Sequence, residues 1–215
     1  MPPKNTRTIR RRKSHPRTTK KVYLAHLKTL YPACKFDEKR DDYSLYDGHK
    51  ITYGEMEYTG IQTLYDHISK KFNKKINCFM DIGSGRGKLC MYMAAQSKIK
   101  HVLGVELVKQ RHDDAVKLKK LLKQEYANKV DLLNQNVLEI DFKNYHGSDV
   151  FVWFSNLCFE QSTTNDIFQK LENELPKGTI LCCSKEPVPV VGKLIDTIPI
   201  EMSWNKTSNV FMYML

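Results

Sequence analysis

From Ile76 onward, short apolar runs alternate with helical patterns, the signature of a parallel sheet flanked by helices. The runs are Cys78 to Ile82, Val102 to Glu106, Val130 to Leu133, Val150 to Phe154 and Ile180 to Cys183. Between the second and third, Ala115, Leu118, Leu122 and Tyr126 mark one apolar helix face, while Lys117, Lys119, Lys120 and Lys123 lie mainly off it as a solvated face. The end of the chain differs. Two strand-like segments, Ile198 to Trp204 and Val210 to Leu215, are separated by the polar stretch Asn205 to Asn209, which predicts a closing antiparallel hairpin on the edge of the sheet. Ahead of the sheet, Ile61, Leu64, Tyr65, Ile68 and Phe72 recur at helical spacing. Asp47-Gly48 marks a hairpin turn, and a short apolar stretch runs from Tyr23 to Leu30. The pattern divides the chain into a tail over 1–21, a small α/β lead-in over 22–75 and an α/β core over 76–215, with no internal repeat.

Charge sharpens the tail. The net charge of +11 is concentrated in nine basic side chains, Lys4, Arg7, Arg10, Arg11, Arg12, Lys13, Arg17, Lys20 and Lys21, and no acid precedes Asp37. Beyond residue 21 the balance is only 26 bases against 24 acids. Such a segment buries too little apolar surface to offset the entropy of ordering, so it is expected to be disordered on its own. Its chemistry suits phosphate binding or a nuclear import signal, and no apolar stretch follows it as a secretory signal would require. The remaining composition narrows the class. Length suits one domain, and no apolar run approaches the roughly 20 residues needed to span a bilayer. The six cysteines show no two-residue spacing and the seven histidines no metal-ligand pair, so reduced thiols and no metal are expected.

The sharpest local signal is Asp81-Ile82-Gly83-Ser84-Gly85-Arg86-Gly87-Lys88, an apolar strand ending in an acid and a glycine-rich turn into a helix. Glycines let the backbone turn sharply and let a ligand approach without a Cβ in the way. A phosphate-binding Walker loop fails because Leu89 follows Lys88 and Ile82 stands where a glycine is required. A dinucleotide fingerprint fails because position 88 is Lys. The remaining pattern resembles the first motif of class I methyltransferases, whose loop holds the amino-acid part of S-adenosylmethionine. Glu106, 19 residues past Gly87, ends the second apolar run, where a carboxylate is placed to accept two ribose hydroxyls.

Three further stretches resemble the Dot-one family of non-SET histone H3 lysine methyltransferases. Tyr53-Gly54-Glu55 matches its Y-G-E loop. Val152 to Phe159, with Asn156 at a strand end and Phe159 three residues on, matches its fourth motif. Cys183-Ser184-Lys185, Ser203-Trp204 and Tyr213 follow the order of its closing segments, so the likeness spans roughly residues 50 to 215. The resemblance implies a class I, Rossmann-like fold and S-adenosylmethionine as donor. It places the donor among Tyr53, Gly54, Glu55, Asp81, Gly83, Ser84, Gly85, Gly87, Lys88, Glu106, Asn136, Val137 and Asn156. It sets Asn156 and Phe159 beside the transferred methyl, counts Tyr53, from the loop over the methionine part of the donor, as catalytic with them, and has Trp204 and Tyr213 line a narrow lysine channel. The implied substrate is a lysine in the globular core of nucleosomal histone H3, the family's lysine seventy-nine. The basic tail would then meet DNA or the histone acidic patch, and the expected protein is a monomer working in a nucleus or, for a viral chain, a viral factory or virion.

This chain departs from the family where Asn136-Val137 stands in place of an acid and an aromatic at the adenine, and where Met56 and Glu57 follow the Y-G-E loop. Apart from the resemblance, Trp204 and Tyr213 read as core aromatics of the last hairpin and Asn156 as a strand-end turn former. A nonhistone lysine or an N6-adenine in nucleic acid would require the same donor, although Ser155-Asn156-Leu157-Cys158 lacks the proline usual in adenine methyltransferases. A noncatalytic basic nucleic-acid-binding protein is the remaining class, separated by donor binding.

Overall fold

The computed structural model describes residues 20–33, 53–72, 76–96, 98–144 and 149–215. Five short apolar runs form parallel strands: β1 Cys78–Ile82, β2 His101–Val105, β3 Val130–Leu133, β4 Val150–Phe154 and β5 Ile180–Cys183. β6 Lys193–Met202 and β7 Asn205–Met214 follow as the antiparallel pair, giving the order β3-β2-β1-β4-β5-β7-β6. The chain order reverses between β1 and β4, which pair from Cys78 with Val150 to Ile82 with Phe154. In open sheets of this kind, ligands bind at the carboxyl ends of the strands flanking such a reversal.

Side chains alternate across the sheet and divide the interior into two layers. Phe79, Phe151, Trp153, Cys182 and Met212 point to one face, where they meet α1 Lys20–Ala33, α2 Tyr58–Lys71 and α3 Lys88–Ala94. Met80, Ile82, Val152, Phe154, Leu181 and Tyr213 point to the other, against Ile167, Phe168 and Leu171. Those three lie on the helix Gln161–Glu174, which becomes α6 after α4 Lys109–Lys120 and α5 Gln124–Ala127. Both faces of β1 and β4 are therefore covered, which is why these strands read as unbroken apolar runs rather than alternating ones.

The stretch near Tyr23 proves to be a helix whose Tyr23, Leu27 and Tyr31 face the core at four-residue intervals. The Tyr23 hydroxyl donates to the Met91 carbonyl at 2.9 Å, tying α1 to α3. Lys20 and Lys21, assigned above to the tail, fall within the first turn of α1. The other seven tail bases and the Asp47-Gly48 turn lie outside the described residues.

Two expectations require correction. Ala115, Leu118, Leu122 and Tyr126 are all buried, but α4 ends at Lys120 and α5 begins at Gln124, so one apolar face is built from two helices. The closing hairpin turns at Ser203-Trp204, with Met202 paired to Asn205, and not over Asn205 to Asn209. Those polar residues belong to β7. They extend past β5, which pairs only with Phe211 to Met214, and are mostly solvated, so no apolar alternation marks them.

Candidate active site

The loop after β1 owes its shape to three glycines, Gly83, Gly85 and Gly87, all with φ between 53° and 78°. This left-handed region strains any residue with a Cβ. The backbone N–H groups of Gly83 and Ser84 both donate to the Val105 carbonyl at 2.9 Å, pinning the loop to the end of β2. Glu106 completes the join. One of its oxygens accepts from the Gly85 N–H at 2.7 Å and the other from the Val108 N–H at 2.8 Å, so this buried carboxylate bridges the loop and the start of α4. A Cβ at Gly85 would meet the Tyr53 ring at 2.6 Å, and one at Gly87 would instead meet Ala115 at 3.0 Å. Gly87 seats α3 against α4.

Asp81, the last acid of β1, is 2% exposed and its carboxylate receives the Cys90 thiol at 3.5 Å. Loss of water pushes its pKa up to about 7, the nearby Glu106 adding to the rise and the thiol opposing it. Asp81 lines a small cavity of about 40 Å³ together with Glu55, Ser84 and Lys88.

Tyr53-Gly54-Glu55 folds over this cavity and is laced to the hairpin tip. Ser203 N–H donates to the Glu55 carbonyl at 2.8 Å, and Glu55 N–H to the Ser203 hydroxyl at 3.0 Å. Met56 bridges Met202, and Glu57 N–H reaches the Glu201 carbonyl at 3.1 Å. Gly54 is needed for contact, because a Cβ there would lie 2.5 Å from the Trp204 ring. The Tyr53 ring lies 5.1 Å from the Arg86 guanidinium and 4.9 Å from that of Arg111, and its hydroxyl donates to Glu55. Lys88 Nζ stands 3.3 Å from Glu55 and 3.6 Å from Glu57.

A larger cavity of about 300 Å³ adjoins the first, sharing Tyr53, Gly54, Gly83, Gly85 and Trp204. Its floor includes Glu106, Asn136 and Val137, and its rim includes Phe159, Leu157 and Trp204. Asn136 caps a short turn by accepting from the Leu138 N–H at 3.1 Å, which leaves its second lone pair and its amide hydrogens for a ligand. Phe159 stacks edge-on against Phe154 at 5.1 Å, with its ring about 4 Å from where a Gly83 Cβ would be. Trp204 is 41% exposed and Leu157 46%, so the opening is apolar and faces solvent.

Two expected site residues lie elsewhere. The buried Asn156 side chain accepts from Ser184 N–H at 3.0 Å and Lys185 N–H at 2.9 Å and donates to the Lys185 carbonyl at 2.7 Å, and it lines neither cavity. It splices the end of β4 to the segment after β5. Tyr213 is fully buried, 6.5 Å from the Phe168 ring, with its hydroxyl on Glu186 at 3.2 Å. It is a core aromatic of the hairpin, and of the two aromatics only Trp204 lines the cavities. Sequence reading missed Tyr31, Arg86 and Arg111. The first and last come from α1 and α4, and no local pattern links them to the Y-G-E loop.

The residues fit S-adenosylmethionine by their chemistry. A cavity of this size is at the low end of small-molecule sites, roughly 300–1,000 Å³. Glu55 and Asp81 would offer carboxylates to an ammonium, Glu106 an acceptor to a ribose diol, Val137 and Leu107 an apolar wall, and Gly83 and Gly85 a stretch of lining without Cβ atoms.

Comparisons with known proteins agree on fold and family. A putative RNA methyltransferase from Pyrococcus horikoshii superposes with a TM-score of 0.53 at 15% identity, over 92% of this chain and 97% of its own. An RNA methyltransferase from Salinibacter ruber in complex with S-adenosyl-L-homocysteine gives a TM-score of 0.49 at 15% identity, over 71% of this chain and 90% of that one. At such identity the likeness concerns the fold, which is that of class I methyltransferases. No curated protein matches the sequence. The family model described as "Histone methylation protein DOT1" matches residues 38–190. That match contains the Y-G-E loop, the glycine loop, Glu106 and the end of β4, and the chain accordingly belongs to the DOT1 family, as a methyltransferase that draws its methyl group from S-adenosylmethionine.

Proposed function

We propose that the protein methylates a lysine in the globular core of histone H3 within nucleosomes. The observation that carries this reading is the apolar rim of Trp204, Leu157 and Phe159, held over the cavity by the bonds between Ser203 and Glu55 within a chain of the histone-methylation family. When bound, S-adenosylmethionine would supply an electrophilic methyl group on a sulfonium, with an uncharged amine as the acceptor and the neutral thioether of S-adenosylhomocysteine as the leaving group. Everything else is asked of the protein. Glu55 and Asp81 hold the ammonium of the donor, and Glu106 holds its ribose. Phe159, Tyr53 and Trp204 exclude water from the approaching amine and tolerate its cationic form, as aromatic faces do. Alignment and desolvation, rather than an activated leaving group, are then the source of rate. Asn156 contributes by fixing the end of β4 that carries Phe159.

The basic tail serves on this reading as the electrostatic anchor to nucleosomal DNA or to the histone acidic patch, and the working compartment is the nucleus. The test offers labelled S-adenosylmethionine with nucleosomes, free histones, DNA and RNA in parallel, then maps the label by mass spectrometry. Label on an H3 core lysine in nucleosomes is the expected result. Label in nucleic acid, or on other proteins with none on H3, overturns the substrate.

A further inference from the structure

The Y-G-E loop is braced from outside the segment that matches the family. Tyr31, near the end of α1, is 9% exposed, and its hydroxyl donates to Glu55 Oε1. The same hydroxyl stands 3.2 Å from the Tyr53 hydroxyl. Lys88 Nζ approaches the other Glu55 oxygen at 3.3 Å and lies 5.5 Å from the centre of the Tyr31 ring and 4.8 Å from that of Tyr58. Glu55 is thus gripped on one side by tyrosine hydroxyls and on the other by an ammonium seated on two tyrosine rings.

The Glu55 backbone is bonded to Ser203 through both its N–H and its carbonyl, so the direction of the carboxylate is left to the groups that its side chain meets. Burial works against its charge, which Lys88 favours. Without Tyr31, Glu55 Oε1 would keep, among the described residues, only the Tyr53 hydroxyl, which rides on the same loop, and the carboxylate would lose its brace from α1 against the pull of Lys88. Glu55 lines the small cavity with Asp81, so its direction decides whether two carboxylates or one meet the donor.

We propose that Tyr31 is a positioning residue for methyl transfer: its hydroxyl fixes the Glu55 carboxylate in the orientation that receives the donor's ammonium. The inference rests on the donor-site reading above and adds α1 to the working parts of the enzyme. α1 is seated independently, by Leu27 in the core and by Tyr23 on the Met91 carbonyl, so the Tyr31 hydroxyl is not what holds the helix in place.

The test is the affinity of the full-length protein for S-adenosylhomocysteine by titration calorimetry, with melting temperature measured alongside. Tyr31→Phe removes only the hydroxyl and should weaken binding by about tenfold, the usual effect of losing a hydrogen bond to a charged group, while leaving the acceptor KM nearly unchanged. Glu55→Gln should weaken binding on its own, and the double variant should bind no worse than Glu55→Gln, because both changes break one interaction. Tyr23→Phe is the control, since it loosens α1 without touching Glu55 and should lower the melting temperature while sparing affinity. Unchanged affinity in Tyr31→Phe, additive penalties, or an equal loss in Tyr23→Phe would overturn the proposal. Should Glu55→Gln bind normally, the donor-site reading falls and the proposal with it. Should only Tyr31→Phe bind normally, the proposal falls alone.

Discussion

Asn156 and Asp81 are both buried polar residues at strand ends, and the partners of each decide what it does. Two backbone N–H groups and one carbonyl are satisfied by the Asn156 amide. Asn156→Ala would leave these three part-buried groups unpaired, at about 1–3 kcal/mol for each that water does not reach. The loss of even one such bond, at about 1 kcal/mol, is expected to lower the melting temperature by roughly 2–4 °C, together with the turnover loss that follows from a displaced Phe159. An Asn156→Ala protein that melts like wild type yet turns nothing over would return Asn156 to a direct catalytic role. Asp81 carries a pH signature. Its pKa is about 7 in the fold against an ordinary 3.8. In the unfolded chain it ionises as pH rises past the ordinary value while the native form keeps its proton. Unfolding then releases that proton, and stability falls across this window until native Asp81 ionises as well. The melting temperature of the free protein should therefore decline between about pH 5 and pH 7, and Asp81→Asn should flatten that decline. An ammonium ligand prefers the ionised form, so donor affinity should rise over the same interval. Calorimetry at the two ends checks both, and a flat affinity would remove Asp81 from the donor site.

At the scale of elements, the β6–β7 hairpin is part of the sheet at one end and part of the active site at the other. Its tip carries Trp204 and is bonded to residues 55–57, so donor loop and acceptor rim form one strapped unit. Gly54→Ala should expose this link. The added Cβ would sit 2.5 Å from the Trp204 ring, which must swing away. A displacement of this order is expected to cost on the order of a hundredfold in kcat/KM for the acceptor. Donor affinity should change far less, and a further Trp204→Ala should add little. Steady-state kinetics with nucleosomes reads the split; equal losses toward donor and acceptor would sink it. The hairpin is also where sequence reading failed. β1 and β4 were legible because both faces are buried and, Asp81 apart, every residue is apolar. The outer half of the hairpin is mostly solvated, so nothing in Asn205 to Asn209 distinguishes strand from turn. The turn after β1 and the carboxylate at the end of β2 were legible in place because the glycines and the acid lie next to their strands in sequence. Asn156 bonds its own backbone and Tyr213 packs in the core, contacts that residue type alone does not reveal. Tyr31 and Arg111 reach the site only through the packing of α1 and α4.

Over the whole molecule, charge is segregated from chemistry. Nine bases crowd the first 21 residues, while the rest of the chain holds 26 bases against 24 acids. A nearly neutral catalytic body gains little from the field of DNA, so any attraction to a nucleosome must come mainly from the tail. If all nine bases neutralise phosphates, the log of the affinity should fall against the log of salt with a slope of about −8, at roughly 0.9 per contact. Removing residues 1–19 leaves only Lys20 and Lys21 of the nine, and the slope should shrink to about −2 by the same reckoning. The truncation should leave affinity for S-adenosylhomocysteine untouched, because every group assigned to the donor lies at the strand ends and the Y-G-E loop. Nucleosome binding measured across a salt series, with donor calorimetry on the same two proteins, separates the functions. A full-length slope near −1 would take the tail out of substrate binding and leave its basic run to act as an import signal.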